Sequence, residues 1–112
     1  HIDAAQVYNN QVQVGRGIAS AMQLCGLARE DIWVTSKIWM TDFHPDDMPA
    51  AVDRVLQELG LSYVDQLLLH WPTAFKRPPK GCPKDCPEEF AGTDMAERPR
   101  DAKGHYVNSD VP

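Results

Sequence analysis

The pattern of apolar and polar positions along the chain switches between strand-like and helix-like spacing. Short apolar stretches with β-branched or aromatic side chains predict strands at "HIDAA" (1–5), "IWVTSKI" (32–38) and "VDQLLLHW" (64–71). Between them, apolar residues recur every three or four positions, as on one face of a helix. The order strand, helix, strand, helix, strand predicts right-handed crossovers onto a parallel sheet, and therefore an α/β fold.

Both predicted helices have recognisable ends. The first covers about 10–25 and is followed by Gly26, which suits the left-handed residue after a helix. The second begins at Pro45, with the acidic pair 46–47 in its first turn, where the helix dipole favours negative charge, and it stops at Gly60. The apolar face of the first helix comprises Val14, Ile18, Met22 and Cys25. The apolar stripe of the second comprises Met48, Ala51, Val52, Val55, Leu56 and Leu59.

The run of leucines at 67–69 in the third strand predicts a strand that is buried on both faces. Beyond it the pattern changes, because residues 72–112 hold seven Pro and three Gly without sustained periodicity. We therefore divide the chain into a strand-and-helix part, 1–71, and a long Pro-rich loop segment, 72–112, that is a functional loop, a disordered arm or both.

Composition narrows the classes of function. The chain has 112 residues, is 43% apolar and carries a net charge of -5, which argues against a surface that neutralises phosphates or anionic lipids. No apolar run approaches the roughly 18 residues that a membrane helix needs. We therefore expect no nucleic-acid partner and no membrane. The odd count of three cysteines favours a reducing compartment, so the predicted location is cytoplasmic.

The cysteines of the loop segment raise the question of a metal. Cys82 and Cys86 lie four residues apart, and His105 follows nineteen residues later. Zinc needs a fourth ligand and usually tighter pairing, so loop cysteines flanked by prolines are the simpler interpretation. We predict no metal site.

Four polar residues lie at or near the ends of the predicted buried strands. Asp3 is within the first strand, Tyr8 just follows it, and Lys37 and His70 end the second and third. Ligands bind at the carboxyl edge of parallel sheets, where loops vary while the strands hold side chains still. Singly, each residue has an ordinary structural explanation, such as turn capping, ring packing, a solvated ammonium or a loop hydrogen bond.

Together these four residues, the polar tetrad, suggest carbonyl reduction. A tyrosine hydroxyl donates a proton poorly near neutrality unless a cation stabilises its anion. Tyr8 is then the proton donor, Lys37 the cation that makes it more acidic, Asp3 the counter-charge that holds Lys37, and His70 the hydrogen-bond donor that orients the carbonyl.

The sequence closely resembles the aldo-keto reductases. "HIDAAQVYNNQVQVGRGI" resembles the first signature of that family, "VTSKIW" its lysine strand and "MPAAVDRVLQELGLSYVDQLLLHWP" its second signature. The family's catalytic Asp, Tyr, Lys and His fall on Asp3, Tyr8, Lys37 and His70, at separations of 5, 29 and 33 residues. Three positions depart from the usual pattern, where Gln11 replaces Glu, Met40 replaces Asn and Ala4 replaces Thr.

The resemblance implies a (β/α)8, or TIM, barrel that reduces aldehydes and ketones with NADPH, leaving NADP+, with Asp3 near the nicotinamide. It is closest to the branch of aldose, aldehyde and xylose reductases. In that branch the positions of Val7, Trp39 and Trp71 line the substrate pocket, although ordinary packing is the alternative interpretation for each.

The resemblance further implies that this sequence supplies about three of eight strands, with "HIDAA" as the second strand of the barrel. Three strands with unpaired edges are expected to self-associate, and the 112 residues alone are expected to show no turnover. The alternative is a binding or structural protein with the reductase fold, as among potassium-channel β subunits and some lens crystallins, or an inactive fragment.

Overall fold

In the computed structural model, the described residues are 1–75, so the predicted loop segment lies almost wholly outside them. The five main elements are β1 (Ile2–Asp3), α1 (Gln11–Cys25), β2 (Val34–Ile38), α2 (Met48–Leu59) and β3 (Gln66–Leu69). The strands form one parallel sheet in the order β1-β2-β3. The predicted order of elements and the parallel sheet are therefore confirmed.

The central strand β2 sets the two faces of the sheet. It pairs with both neighbours, so that Asp3 lies opposite Thr35 and Lys37 lies opposite Leu68. Because side chains alternate along a strand, Ile38 joins the core beneath the helices while Thr35 and Lys37 point to the other face. The register thus places the acid and the ammonium on adjacent strands.

The apolar core lies between the sheet and the two helices. Burial of these side chains is the main favourable contribution to stability. The buried core residues are Ala4, Ile18, Ile32, Val34, Ile38, Ala51, Val55 and Leu59. Both helices end where the glycines predict, since Gly26 and Gly60 each have φ of 65°. Cys25, expected on the core face of α1, is instead exposed.

The predicted start of α2 at Pro45 is wrong. The amide N–H groups of Asp47 and Met48 both donate to the carbonyl oxygen of His44, at 2.9 and 3.0 Å, and close a separate turn. The helix begins at Met48, with Asp47 as its N-cap residue, so the acidic pair precedes the first turn. Local turn hydrogen bonds thus replaced the helical start that the proline indicated.

The predicted burial of the third strand on both faces is also wrong for the described residues. Leu67, Leu68 and Leu69 are 37%, 38% and 58% exposed. In this part of the chain α2 packs against β2 and α1 packs against α2, and no residue of β3 belongs to the apolar core. The leucine run therefore predicted a strand correctly, but it did not predict how many faces residues 1–75 cover.

A partly buried ion pair between Arg29 and Asp65 lies at the starts of β2 and β3. Asp65 accepts hydrogen bonds from the backbone N–H of Val34 and from Arg29, both at 2.8 Å. The Val34 N–H and then Arg29 lower the pKa of Asp65, so this carboxylate remains ionised.

No helix within residues 1–75 combines the length and the apolar content needed to cross a membrane.

Candidate active site

The carboxyl edge of the sheet gathers the polar tetrad. Asp3 is the last residue of β1, Lys37 is the last but one of β2, and His70 directly follows β3. Tyr8 belongs to a short 3-10 helix, Gln6–Tyr8, which we call the tyrosine turn. Contacts join Lys37 to Asp3 and Tyr8, and Tyr8 to His70, so the structure brings all four predicted residues together.

Lys37 is the centre of this cluster. Its Nζ forms an ion pair with Asp3 Oδ1 and donates to the carbonyl oxygen of Ala4, at 3.1 Å, and to the hydroxyl of Tyr8, at 3.4 Å. Burial lowers the pKa of Lys37, but the hydrogen bonds to Asp3 and Tyr8 outweigh burial and the net shift is upward. The ammonium therefore stays charged at neutral pH, next to the phenol.

The tyrosine turn presents its phenol to solvent. Backbone hydrogen bonds from Tyr8 to Ala5, at 3.1 Å, and from Asn9 to Gln6, at 3.2 Å, close the turn. Asn9 has φ of 55°, a left-handed conformation that asparagine tolerates better than most residues. Tyr8 is 47% exposed, so its hydroxyl contacts the ammonium and still has room for a ligand.

His70 packs between two aromatic rings. Its centroid lies 5.7 Å from that of Tyr8 and 5.2 Å from that of Trp39, with edge-to-face geometry in both cases. Its backbone N–H donates to Ile38, which fixes it to the end of β2. Burial, and then the charge of Lys37, lower the pKa of His70 despite the opposing effect of Asp3. The imidazole is therefore neutral at neutral pH.

The three predicted pocket residues differ in their surroundings. Trp39 is buried with Met40 and Phe75, and Val7 packs against this cluster. Trp71 follows His70 and is 49% exposed. Val7 and Trp39 also line a cleft of about 560 Å³ beside the N-terminal part of α1, but no tetrad residue lines it. The roles of these three residues in substrate binding stay predictions.

Sequence reasoning missed a polar network behind the tyrosine turn. Gln6 bonds the backbone of Trp39 and the carboxylate of Asp42, which also pairs with Arg54. The one available signal was a glutamine within the otherwise apolar "AAQVY" stretch.

Gln11, noted above as a departure from the family signature, is buried and joins three elements. Its Oε1 accepts from Ser36 at 2.5 Å, and its Nε2 donates to Glu58 at 2.7 Å. A glutamate at position 11 would place a second carboxylate against Glu58, whereas the amide supplies a donor. The departure therefore fits its surroundings in this chain.

No cluster of three metal-ligating side chains occurs within residues 1–75. The residues considered above for zinc, Cys82, Cys86 and His105, lie outside the described residues.

A parallel α/β sheet with a polar cluster at its carboxyl edge defines a class of protein, the α/β proteins that bind ligands at that edge, and comparisons identify the family. The protein-family model for the "Aldo/keto reductase family" matches residues 1–89 of this chain. D/L-glyceraldehyde reductase of Hypocrea jecorina is 51% identical over 76 residues, which are 67% of this chain and 23% of that protein. NAD(P)H-dependent D-xylose reductase of Kluyveromyces lactis is 37% identical over 110 residues, 98% of this chain and 32% of that protein.

Solved structures give the same result. The aldose reductase of Schistosoma japonicum superposes with a TM-score of 0.80 at 34% identity, over 100% of this chain and 32% of the other. The aldose reductase of Giardia lamblia gives 0.77 at 30% identity, over 100% and 33%. The chain belongs to the aldo/keto reductase family, and its fold is a βαβαβ portion of a (β/α)8 barrel, as predicted. It spans about a quarter to a third of the length of these relatives.

Proposed function

We propose that this chain is the catalytic segment of an NADPH-dependent reductase that converts aldehydes and ketones to alcohols. The observation that carries the proposal is the position of the Lys37 ammonium, which contacts the carboxylate of Asp3 and the hydroxyl of Tyr8 at the carboxyl edge of the sheet. The names of the relatives, which include glyceraldehyde and xylose reductases, favour small polar aldehydes as substrates. The cytoplasmic location stays a prediction.

The described residues fit one end of the cofactor. The Asp3 side chain is 58% exposed. Of its two carboxylate oxygens, Oδ1 accepts a hydrogen bond from Lys37, and Oδ2 has no hydrogen-bond partner within residues 1–75. Its Oδ2 is therefore available to a polar group of a ligand, such as the carboxamide or ribose hydroxyl near a nicotinamide. When bound, the reduced nicotinamide supplies the hydride that adds to the carbonyl carbon and is itself oxidised to NADP+.

The side chains of this segment donate the proton and stabilise the negative charge that develops during the reaction. As the new C–H bond forms, the carbonyl π pair moves to oxygen, and that oxygen takes the proton of the Tyr8 hydroxyl. The Lys37 ammonium, 3.4 Å from that hydroxyl, stabilises the tyrosinate until water returns a proton. Because His70 is neutral, it orients the carbonyl by a hydrogen bond without adding a second cation beside Lys37.

The direct test is NADPH oxidation, followed at 340 nm, by the purified whole protein on a panel of aldehydes that includes glyceraldehyde and xylose. We expect NADPH consumption in proportion to the aldehyde and formation of the matching alcohol. The same assay with NADH measures cofactor preference. A correctly folded protein that consumes neither cofactor with any aldehyde would favour the alternative of a binding or structural role.

His70→Phe keeps an aromatic ring between Tyr8 and Trp39 but removes the ring N–H, and it is expected to lower kcat/KM for the aldehyde by about 10²–10³-fold, the usual effect of removing one donor at a developing oxyanion. Because the pKa of His70 lies below its ordinary value of 6.5, we expect any acid limb from its protonation to fall below that pH. Measurement of kcat/KM from pH 5 to 9 checks both points. Wild-type kcat/KM in the variant, or an acid limb above 6.5 that disappears in it, would contradict this role.

The 112 residues alone are proposed to lack turnover and to self-associate. The three leucines of β3 are exposed in the described part of the chain, and burial of such a surface favours association.

A further inference from the structure

We infer that Gln6 is a positioning residue that sets the distance between the phenol of Tyr8 and the ammonium of Lys37. The inference rests on the proposed function for its kinetic consequence and on the geometry of the turn for its structural one. Gln6 touches neither of the two reacting groups. It acts through the backbone that carries each of them.

One side chain joins the two segments that must be aligned. Gln6 is the first residue of the tyrosine turn, two positions before Tyr8. Its Oε1 accepts a hydrogen bond from the backbone N–H of Trp39, at 3.1 Å, and Trp39 lies two positions after Lys37. The amide therefore connects the turn that holds the proton donor to the end of the strand that holds the cation.

The other end of the amide is fixed by a buried carboxylate. Gln6 Nε2 donates to Asp42 Oδ2 at 2.7 Å, and Asp42 is 7% exposed. The same oxygen pairs with Arg54 on α2, so helix, strand end and turn share one set of hydrogen bonds. Hydrogen bonds to a charged partner are shorter and stronger than those between neutral groups, which limits the freedom of the Gln6 side chain.

The distance between the Lys37 ammonium and the Tyr8 hydroxyl is sensitive to small movements of the tyrosine turn. The contact between Lys37 and Tyr8 is 3.4 Å, at the long end of hydrogen bonding, so a small movement of the turn breaks it. Tyr8 is 47% exposed, and its ring is held on one side by the edge-to-face contact with His70. The position of the phenol consequently depends on the backbone of the turn, which Gln6 ties to β2.

The test uses the whole protein with four variants. Gln6→Ala removes both hydrogen bonds, and Gln6→Glu keeps the acceptor for Trp39 but places a carboxylate against Asp42. The double variant Gln6→Glu/Asp42→Asn restores the contact with donor and acceptor exchanged and leaves one negative charge for Arg54. Gln13→Ala is the matched control, since Gln13 is an exposed glutamine of α1.

The kinetic readout is the single-turnover rate after a preformed complex of enzyme and NADPH is mixed with aldehyde. We expect Gln6→Ala and Gln6→Glu to lower this rate by about 10- to 100-fold, the effect of misplacing a reacting group by a fraction of an ångström to an ångström. NADPH affinity is expected to stay unchanged, the double variant to recover most of the rate, and Gln13→Ala to match the wild type. If Gln6 had only a structural role, Gln6→Ala and Gln6→Glu would lower thermal stability but leave the single-turnover rate of the folded enzyme unchanged. That result would overturn the inference.

A second readout does not need activity. In protein labelled with ¹³C-tyrosine, the Cζ resonance of Tyr8, assigned with Tyr8→Phe, reports its contact with Lys37. We expect this resonance to move in Gln6→Ala, to return in the double variant and to be unaffected by Gln13→Ala. A moved resonance in a protein without reductase activity would support the positioning role and contradict the proposed function. An unmoved resonance would overturn the positioning role whatever the activity.

Discussion

Tyr8→Phe is expected to lower kcat for aldehyde reduction by about 10²–10⁴-fold, the usual contribution of a general acid. The phenylalanine ring keeps the edge-to-face contact with His70, whose centroid lies 5.7 Å away, so the local packing is preserved. Only the hydroxyl that contacts Lys37, and would deliver the proton, is lost. Steady-state kinetics with NADPH and a saturating aldehyde measure the effect.

Two measurements separate loss of the proton donor from loss of the fold. Quenching of tryptophan fluorescence by NADPH is expected to give the same affinity in Tyr8→Phe as in the wild type. The control is Tyr63→Phe, because Tyr63 is 39% exposed, comparable with Tyr8, and contacts Arg29 instead of the tetrad. Tyr63→Phe is expected to keep full kcat. If Tyr8→Phe also kept it, Tyr8 would not be the proton donor.

Gly15→Ala is expected to destabilise the protein by about 1–3 kcal/mol or more, the range for overpacking a closely packed site. A Cβ added at Gly15 would lie 2.6 Å from the carbonyl carbon of Leu59 and 2.9 Å from its Cα, which are backbone atoms and cannot rotate away. The two helices would have to separate where they pack. The loss exceeds the roughly 1 kcal/mol by which alanine outranks glycine in a helix.

The matched control lies two residues further along the same helix. A Cβ added at the exposed Gly17 meets no atom within 4 Å. Gly17→Ala is therefore expected to stabilise the protein by about 0.5–1 kcal/mol, through helix propensity alone. Urea unfolding of both variants measures the two free energies. Shifts of the same sign for Gly15→Ala and Gly17→Ala would mean that the close helix contact does not limit position 15.

The tetrad was open to prediction because its members are rare residue types at strand ends. An acid, a lysine and a histidine in or next to apolar strands stand out in the sequence, and parallel strands bring their carboxyl ends to one edge. The network behind the tyrosine turn was not open to prediction in this way. Gln6, Asp42 and Arg54 are ordinary polar residues in sequence, and the separations of 36 and 12 residues between partners carry no local signal.

The errors at Pro45 and at the leucines of β3 have the same origin. A proline fits the first turn of a helix, but it fits an isolated turn equally well. Here the hydrogen bonds from the N–H groups of Asp47 and Met48 to the carbonyl oxygen of His44 form the isolated turn. A leucine run indicates a strand with apolar surroundings, but exposure depends on which elements pack against that strand. In both cases the local sequence pattern was compatible with two structures, and contacts with the rest of the chain determined which one formed.

The sequence by itself determined the order of elements, the C-terminal ends of both helices and the family, because period, glycine stops and motif spacing are local properties of the chain. It also determined which four side chains gather at the sheet edge, since a helix between successive strands makes those strands parallel. Only the tertiary structure decided that Gly15 lies against the backbone of Leu59 and that Gln6 joins the tyrosine turn to β2. Those features depend on distances between segments far apart in the chain, and such distances are set by packing.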